Sequence, residues 1–484
     1  MSDVAESRVS DGPSSPRPPL WPGIRALLMR LHFYAGILVG PFILIAAITG
    51  LPYTITPQLE QLVHREQLTV AQIGEHTVPL ADQVAAARQA HPEGAITEVR
   101  PPRTEDGTTR VVLAVDDVPD GYGRTVFVDP YSGEVRGALT TYGEWLPVRA
   151  WIDELHRNLH LGEVGRHYSE LAASWLWLVA LGGLIMWWGM VRRRTRAARA
   201  AVLPDRRRSG RARTLSWHGA VGVWIVLGLV VLSASGLTWS RYAGESISDL
   251  RTALDWTSPT VTTALSGQDE TAAGGHGGHG APAAETSDAA ITRGVGIDGV
   301  FTTAVEAGLQ VPIRLIPPSG EDQAWTVREA KRSWPTRYDA LAVDPADGRV
   351  VDRVDFSSWP LMAKMTNWVI DTHMGILFGW VNQIVLALVA IGLITVVIRG
   401  YRMWWSRRPR SAGRWAVGAP PARGTLTRVP VGVAIGVILV AAIVGWYVPL
   451  LGISLAGFVA VDVVVGLLRA RADESDTASP TESR

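Results

Sequence analysis

Six stretches of the chain are apolar for long enough to cross a bilayer, which takes about 20 residues of helix. They cover residues 31–53, 171–190, 217–240, 376–398, 429–448 and 450–468 approximately. The first stretch lacks a small-residue cleavage site before Pro52, so we expect an uncleaved anchor. The pattern predicts a multi-pass α-helical membrane protein.

The long segments after the first and third apolar stretches have a different pattern. The first segment predicts a helix over 84–90 and alternates like strands at 96–100, 109–115 and 125–128. The second segment repeats the strand pattern at 325–327 and 338–343. An Asp-Pro-x-x-Gly sequence in each segment predicts a tight hairpin, because Pro fixes φ and Gly accepts a positive φ. We therefore expect two α+β domains outside the membrane.

Arginine is concentrated in two connections between the predicted spans. Residues 192–214 contain ten Arg and one Asp, and residues 399–428 contain eight Arg and no acid. Positive loops stay in the cytoplasm, and Arg25 and Arg30 keep the N-terminus there as well. Six spans return the C-terminus to the same side. We predict a cytoplasmic-membrane protein with both termini inside and two net acidic segments outside.

Overall composition narrows the chemistry. The net charge of +1 gives no reason to expect a nucleic-acid partner, and the 20 Trp fit contact with membrane lipid at the interfaces. There is no Cys, which excludes disulfides, thiolate chemistry and iron–sulfur ligation by cysteine. A metal would need His, Met or carboxylate ligands.

Two parts of the chain match each other at fixed offsets. An offset of 186 aligns His32 with His218, Gly36 with Gly222 and Gly50 with Gly236. An offset of 217 aligns His156 with His373, Gly162 with Gly379, Gly183 with Gly400 and Met186-Trp187-Trp188 with Met403-Trp404-Trp405. The hairpin at 128–135 matches the one at 343–350. We predict tandem-duplicated helix–domain–helix halves, inserted as a parallel repeat about a pseudo-two-fold axis along the membrane normal.

This duplication gives the domain boundaries. The cytoplasmic parts are a disordered N-terminus (1–24), two basic loops (192–214 and 401–428) and a tail (469–484). The transmembrane helices are 25–54, 149–191 with an outer extension, 215–240 and 361–400, followed by a hairpin of two helices (429–468) that turns at Pro449. The outer domains are 55–148 and 241–360, the second with a His/Gly-rich insert at 267–290.

Three short motifs occur in a fixed order. The first helix has Arg30, His32 and Gly36 in an Arg-x-His-x-x-x-Gly arrangement, and the outer domain has Val-Asp-Pro-x-x-Gly. The second span is preceded by Leu-His-Arg-x-Leu-x-x-Gly at 155–162, and the fourth by His-Met-Gly-x-x-x-Gly at 373–379. Over residues 25–470 the chain resembles PepSY-associated transmembrane proteins.

This resemblance implies a fold and a function. Members of the family include inner-membrane reductases that take iron from siderophores and hold b-type haem between transmembrane histidines. It implies two haem b per chain, one held by His32 and His218 near the cytoplasmic surface and one by His156 and His373 near the outer surface. Two facing imidazoles can ligate both axial positions of one haem iron.

Other interpretations of the same residues stay open. A histidine at the end of an apolar helix is ordinarily a membrane-interface residue or a hydrogen-bonded residue that packs against neighbouring helices. His160 follows His156 by four residues, so on a continuing helix it could replace His156 or join it at another metal. Gly36 and Gly222 leave room for a macrocycle or allow close helix packing. His276 and His279 are weak metal candidates in a flexible insert.

No nucleotide-binding glycine motif follows a strand, and the cytoplasmic loops are too short for a flavin or nicotinamide domain. A reductase of this kind would take electrons from quinol or a separate cytoplasmic reductase, and pass them to a small-molecule ferric complex such as a ferric siderophore. The alternative is a non-enzymatic binding or regulatory protein whose PepSY-like domains act on peptides, a protease or a partner. A third hypothesis is metal handling.

Overall fold

The computed structural model describes residues 20–192, 197–265, 289–408, 421 and 430–477. Most of the N-terminal segment predicted as disordered, much of the second arginine-rich loop, and the insert with His276 and His279 lie outside the described residues. The chain forms two compact units. One unit comprises Met1–Pro41, Ser174–Val226 and Val396–Arg484, and the other comprises Phe42–Ala173 and Leu227–Thr395.

Within the described residues the secondary structure follows the order predicted for helices and outer segments. The helices are α1 (Leu20–Leu38), α2 (Gly40–Tyr53), α3 (Thr56–Val63), α4 (Arg65–Leu68), α5 (Leu80–Ala90), α6 (Pro147–Asn158), α7 (Gly162–Val191), α8 (Ala197–Val202), α9 (Gly210–Thr238), α10 (Tyr242–Ala253), α11 (Ala289–Thr292), α12 (Gly296–Glu306), α13 (Leu361–His373), α14 (Gly379–Trp405), α15 (Val431–Tyr447) and α16 (Pro449–Thr477). The strands are β1 (Ala95–Arg100), β2 (Thr109–Ala114), β3 (Tyr122–Val128), β4 (Val135–Tyr142), β5 (Ile313–Ile316), β6 (Trp325–Glu329), β7 (Ala340–Val343) and β8 (Val350–Val354).

Four of the described helices are long and apolar enough to cross a membrane: α7, α9, α14 and the Pro449–Leu468 part of α16. The pair α1 and α2 makes a fifth if it counts as one span bent by 59°. The remaining apolar stretch forms α15, which has 17 residues and is shorter than the others. The structure thus supports a multi-pass helical protein, with four or five full-length spans among the described residues where six were expected.

The bend between α1 and α2 has a local cause at Pro41. Proline has no N–H, so the carbonyl of Ile37, four residues earlier, lacks its helical donor. The hydroxyl of Tyr401 donates to this carbonyl at 2.8 Å. Its ring also lies against Gly40, where a Cβ would come within 3.2 Å of the hydroxyl oxygen. Tyr401 therefore satisfies the carbonyl that the proline leaves open.

The helices predicted to be continuous over 149–191 and 361–400 are both broken. The first break separates α6 from α7: Leu159 and His160 have φ of 58° and 56°, a left-handed conformation that cannot continue a helix. The second break separates α13 from α14 and contains Gly375, with φ of 71°. Each outer helix is therefore a separate element whose direction is independent of the span that follows.

All eight strands belong to one antiparallel sheet, in the order β4-β3-β2-β1-β5-β6-β7-β8. The two predicted outer domains each contribute four consecutive strands. They join at β1 and β5, where Val99 pairs with Leu315. The strands of the two expected α+β domains therefore form one shared sheet, which removes an unpaired edge from each half.

One face of the sheet is apolar and is covered by α5 and α12. Val99, Val111, Leu315 and Val327 on this face are fully buried. Both predicted hairpins form as expected: Gly133 and Gly348 have φ of 74° and 75°. Because residues along a strand alternate between faces, the positions next to these apolar residues point to the opposite, polar face.

Helix α16 contacts α1 and α7 through polar side chains. Asp462 forms an ion pair with Arg30, which is buried. Trp175 Nε1 donates to Ser454 Oγ at 2.9 Å. These bonds fix α16 against α1, which carries His32, and against α7.

Candidate functional site

His32 on α1 and His218 on α9 face each other. Their ring centroids are 6.2 Å apart and the ring planes are inclined by 87°. Both side chains are partly buried. The structure therefore brings together the two histidines that the offset of 186 residues aligned.

Backbone carbonyls hold both of these rings. His32 Nδ1 lies 3.0 Å from the carbonyl oxygen of Val179, and His218 Nδ1 lies 2.9 Å from that of Val396. A carbonyl can only accept, so each ring donates through Nδ1–H and keeps the lone pair on Nε2. This is the tautomer that a metal ligand bonded through Nε2 requires.

His156 at the end of α6 and His373 at the end of α13 form a second pair. Their ring centroids are 6.4 Å apart and the planes are inclined by 69°. This separation differs by only 0.2 Å from that of the first pair. The four histidines singled out from the sequence therefore form two pairs of nearly the same geometry.

Hydroxyl groups orient the second pair. Thr49 Oγ1 lies 3.1 Å from His156 Nδ1, and Ser235 Oγ lies 2.5 Å from His373 Nδ1. Both hydroxyls donate to carbonyls of their own helix, Thr49 to Ile45 at 2.9 Å and Ser235 to Val231 at 2.8 Å. Their oxygens are therefore acceptors for the Nδ1–H of the imidazoles, and Nε2 is again left with its lone pair. Among the described residues, no hydrogen bond engages Nε2 of any of the four histidines.

A glycine lies against each of the four rings. A Cβ at Gly183 would come within 3.0 Å of His32 Cε1, and a Cβ at Gly50 within 3.0 Å of His156 Cε1. The corresponding distances are 3.8 Å for Gly400 and His218, and 3.9 Å for Gly236 and His373. By contrast, a Cβ at Gly36 or Gly222 would meet nothing within 4 Å. Two kinds of glycine thus occur, one touching a ring and one bordering open space.

The remaining candidate histidines lie apart from these pairs. His160 is exposed beyond the end of α6. Its Nδ1 lies 3.4 Å from the Glu154 carboxylate, and its ring centroid lies 4.8 Å from that of Trp151, with the planes inclined by 33°. Because α6 ends at Asn158, His160 does not share a helical face with His156, as a continuing helix would have required. His167 contacts the hydroxyl of Tyr242 at 3.2 Å. In the part of the chain that the structure describes, no three His, Cys, Asp or Glu side chains cluster around a metal position.

Sequence reasoning missed the groups that orient the rings. Thr49 and Ser235 are 186 residues apart and Val179 and Val396 are 217 apart, the same offsets that align the histidines. These offsets were available in the sequence and could have found them. The matches at Gly50, Gly236, Gly183 and Gly400 were noted, but their contact with the rings could be found only from the structure.

Comparison with known proteins gives one family. The family model described as "PepSY-associated TM region" matches residues 29–407. This range contains all four paired histidines and the whole sheet. A comparison with curated proteins gave no match.

Proposed function

Because the chain belongs to the family of PepSY-associated transmembrane regions, whose model matches most of the chain's length, we propose that it is a haem b protein that carries electrons across the membrane to a substrate on the outer side. This proposal rests on the two histidine pairs. Their ring centroids are 6.2 and 6.4 Å apart, and Nδ1 of every ring forms a hydrogen bond.

The spacing of the rings fits one metal ion between each pair. A metal–imidazole nitrogen bond is roughly 2 Å long, and a ring nitrogen lies about 1.1 Å from its ring centre given C–N bonds near 1.33 Å. Two such bonds in line separate the ring centres by about 6.2 Å. The open space beside Gly36 and Gly222, one turn after His32 and His218, supports a bulky planar group there.

Some residues of the chain would ligate the haem iron, and others would orient these ligands and adjust their basicity. His32 and His218 would hold one haem, and His156 and His373 the other. The carbonyls of Val179 and Val396, and the hydroxyls of Thr49 and Ser235, hold each imidazole in the required tautomer and increase its basicity. When bound, haem iron supplies one-electron chemistry, with a potential set by axial ligands, hydrogen bonds and burial.

The direction of electron flow follows from the expected topology. We propose that the arginine-rich connections lie in the cytoplasm, that both termini lie there as well, and that the two halves of the chain are inserted in the same orientation. His218 lies near the beginning of α9 and Ser235, the partner of His373, near its end. Electrons from quinol or a cytoplasmic reductase would enter at the first pair and reach the second, where one electron reduces Fe(III) in an outer chelate, such as a ferric siderophore, to Fe(II).

The first experiment is a visible spectrum of the protein purified in detergent after expression with added haem precursor. We expect sharp bands of reduced low-spin haem b after dithionite treatment and about two haems per chain by pyridine haemochrome. Proteoliposomes that contain a quinol should then reduce an external ferric chelate. A colourless protein would overturn the proposal, and the outer sheet would then be investigated as a peptide- or partner-binding module.

A further inference from the structure

Four arginines lie side by side across the middle of the outer sheet. Arg100 pairs with Arg110 between β1 and β2, and Arg314 pairs with Arg328 between β5 and β6. Since Val99 pairs with Leu315 in the antiparallel β1–β5 junction, the next register position brings Arg100 opposite Arg314. We call Arg110, Arg100, Arg314 and Arg328 the arginine row.

All four side chains project from the polar face of the sheet. Their neighbours Val99, Val111, Leu315 and Val327 are fully buried in the apolar core on the other face. Like charges directly opposite each other on one face destabilise a sheet. A row of four therefore requires either compensation by acids or a use for the positive charge.

Two carboxylates compensate the central arginines. Glu98 lies 2.8 Å from Arg100 and 3.4 Å from Arg314. Glu144 lies 3.2 Å from Arg314 and also bonds Arg103 and Arg332. Although burial opposes ionisation, Arg314 and Arg100 hold the pKa of Glu98 at about 2, so this carboxylate is charged at neutral pH.

The two terminal arginines of the row are not held in such ion pairs. In the described part of the chain, neither Arg110 nor Arg328 forms an ion pair with a carboxylate. Arg328 is exposed, and Arg110 is partly buried against the Phe127 ring. Burial and the charges of Arg103 and Arg100, opposed by those of Glu144 and Glu60, lower the pKa of Arg110 to about 9, which still leaves it protonated at pH 7.

Arg332 connects this polar face to the second histidine pair. It bonds Glu144, donates from Nε to Asp371 Oδ1 at 2.8 Å, and donates from Nη2 to Met374 Sδ at 3.1 Å. Asp371 and Met374 flank His373 in sequence. Among the described residues, the row, Arg103 and Arg332 make six arginines, and their ion pairs involve three carboxylates, those of Glu98, Glu144 and Asp371. Arg332 thus links the positively charged face of the sheet by hydrogen bonds to the residues beside His373, at the site that we propose for electron delivery.

We propose that the arginine row binds a multiply charged anion, and that the substrate is a small metal chelate carrying several carboxylate or catecholate charges. This inference rests on the proposed function. The planar guanidinium group suits it, because it binds carboxylates with two parallel hydrogen bonds. Arg328 and Arg110 supply positive charge that no ion pair holds within the described residues, and the central ion pairs fix Arg100 and Arg314 between them.

The test uses a chelate that cannot be reduced. Binding of gallium(III) citrate to the full-length protein in detergent would be measured by calorimetry, alongside the gallium complex of the cationic chelator desferrioxamine B. We expect Arg328→Gln to weaken citrate binding at least about ten-fold, the effect of losing a charged hydrogen bond. Arg349→Gln, on the β7–β8 hairpin and 66% exposed, is the matched control and should bind as the wild type does. Arg328→Lys should retain part of the affinity.

Each result decides the inference independently of electron transfer, because gallium binding requires neither haem nor a donor. Equal affinity for the anionic and cationic complexes, or unchanged binding in Arg328→Gln, would overturn it. The carboxylates bound by the arginine row could also be the propionates of a haem. Loss of haem from Arg328→Gln, with no citrate binding by the wild type, would assign the row to the cofactor and overturn the substrate site. A colourless protein that still binds the anion would preserve the anion site, but it would refute the proposed function and with it the identification of the anion as a substrate.

Discussion

The Nδ1 atom of His373 lies 2.5 Å from the hydroxyl oxygen of Ser235. The matching bond joins Thr49 and His156 at 3.1 Å. Thr49 precedes Ser235 by 186 positions, and His156 precedes His373 by 217. In both cases the hydroxyl already donates to its own helix, so the imidazole must donate. If this pair holds haem as proposed, these two hydroxyls are therefore the groups through which its affinity can be changed without touching a ligand.

Replacing Ser235 by Ala should weaken haem binding at the His156–His373 pair by about 10- to 100-fold, the range found when a group that orients a metal ligand is lost. Haem loss to an excess of apomyoglobin measures this, and one of the two haems should leave faster. Thr395→Val is the control, since its hydroxyl also bonds within its helix, at 2.8 Å from the Ile391 carbonyl, but contacts no histidine. Equal haem loss in the wild type and Ser235→Ala would contradict the role of the hydroxyl.

Replacing His218 by Ala should remove one haem and leave the other, because only the His32–His218 pair loses a ligand. The haem count should fall from about two per chain to about one. His167→Ala is the matched control, since His167 contacts Tyr242 and faces no second imidazole. If His218→Ala keeps both haems with an unchanged spectrum, this pair is not a ligand pair.

Replacing Gly36 by Leu tests the open space beside the first pair. No protein atom lies within 4 Å of a Cβ at Gly36, so the substitution should not lower the melting temperature of the apoprotein. It should nevertheless exclude one haem if the macrocycle occupies that space. Gly432→Leu, where an added Cβ also meets no atom within 4 Å but which lies on α15, a helix without histidine, should keep both haems. Full haem content in Gly36→Leu would show that the space serves another purpose.

Glu60 should make the stability of the outer region depend on pH. It is 8% exposed, accepts a hydrogen bond from Leu146 N–H at 2.9 Å, and burial raises its pKa to about 7 despite the nearby Arg149. The folded protein therefore holds this proton more tightly than the unfolded chain, whose glutamate titrates near 4.5. Stability is fully present below pH 4.5 and is lost as the pH rises through 7, by at most about 3 kcal/mol.

Glu60→Gln should remove this dependence, because the amide stays neutral and its oxygen can still accept from Leu146. Melting temperatures at pH 5 and pH 8 measure the effect: the wild type should lose several degrees more than the variant between these values. The exposed Glu105→Gln should behave as the wild type. A variant that loses as many degrees as the wild type would mean that Glu60 is ionised in the folded protein at both pH values.

The apolar pattern predicted the spans well where a single helix lies in a uniform environment. It did not predict the breaks at Leu159 and at Gly375, since these depend on left-handed residues and on short-range side-chain bonds, such as that from His160 N–H to Asn158 Oδ1 at 2.9 Å. The error matters for the site, because a continuous helix would have kept His160 beside His156.

The strands and both Asp-Pro hairpins could be predicted because they depend on alternation and on turn residues within a few positions of each other. The pairing of β1 with β5 could not, because Val99 and Leu315 are far apart in the chain and any apolar edge strand would satisfy the local pattern. The arginine row exists only through this pairing, so no inspection of the separate strands would have found it.

The sequence by itself determined which segments are apolar, where the arginines between them lie, and which four histidines and which glycines recur at offsets of 186 and 217, because each of these is a property of residue identity and spacing. Only the tertiary structure decided that the rings lie 6.2 and 6.4 Å apart, that Thr49 and Ser235 orient one pair, and that the two outer segments share one sheet. The physical reason is that distances and hydrogen bonds between remote residues depend on how the helices and strands pack, and a periodic pattern specifies the buried face of an element but not its neighbour.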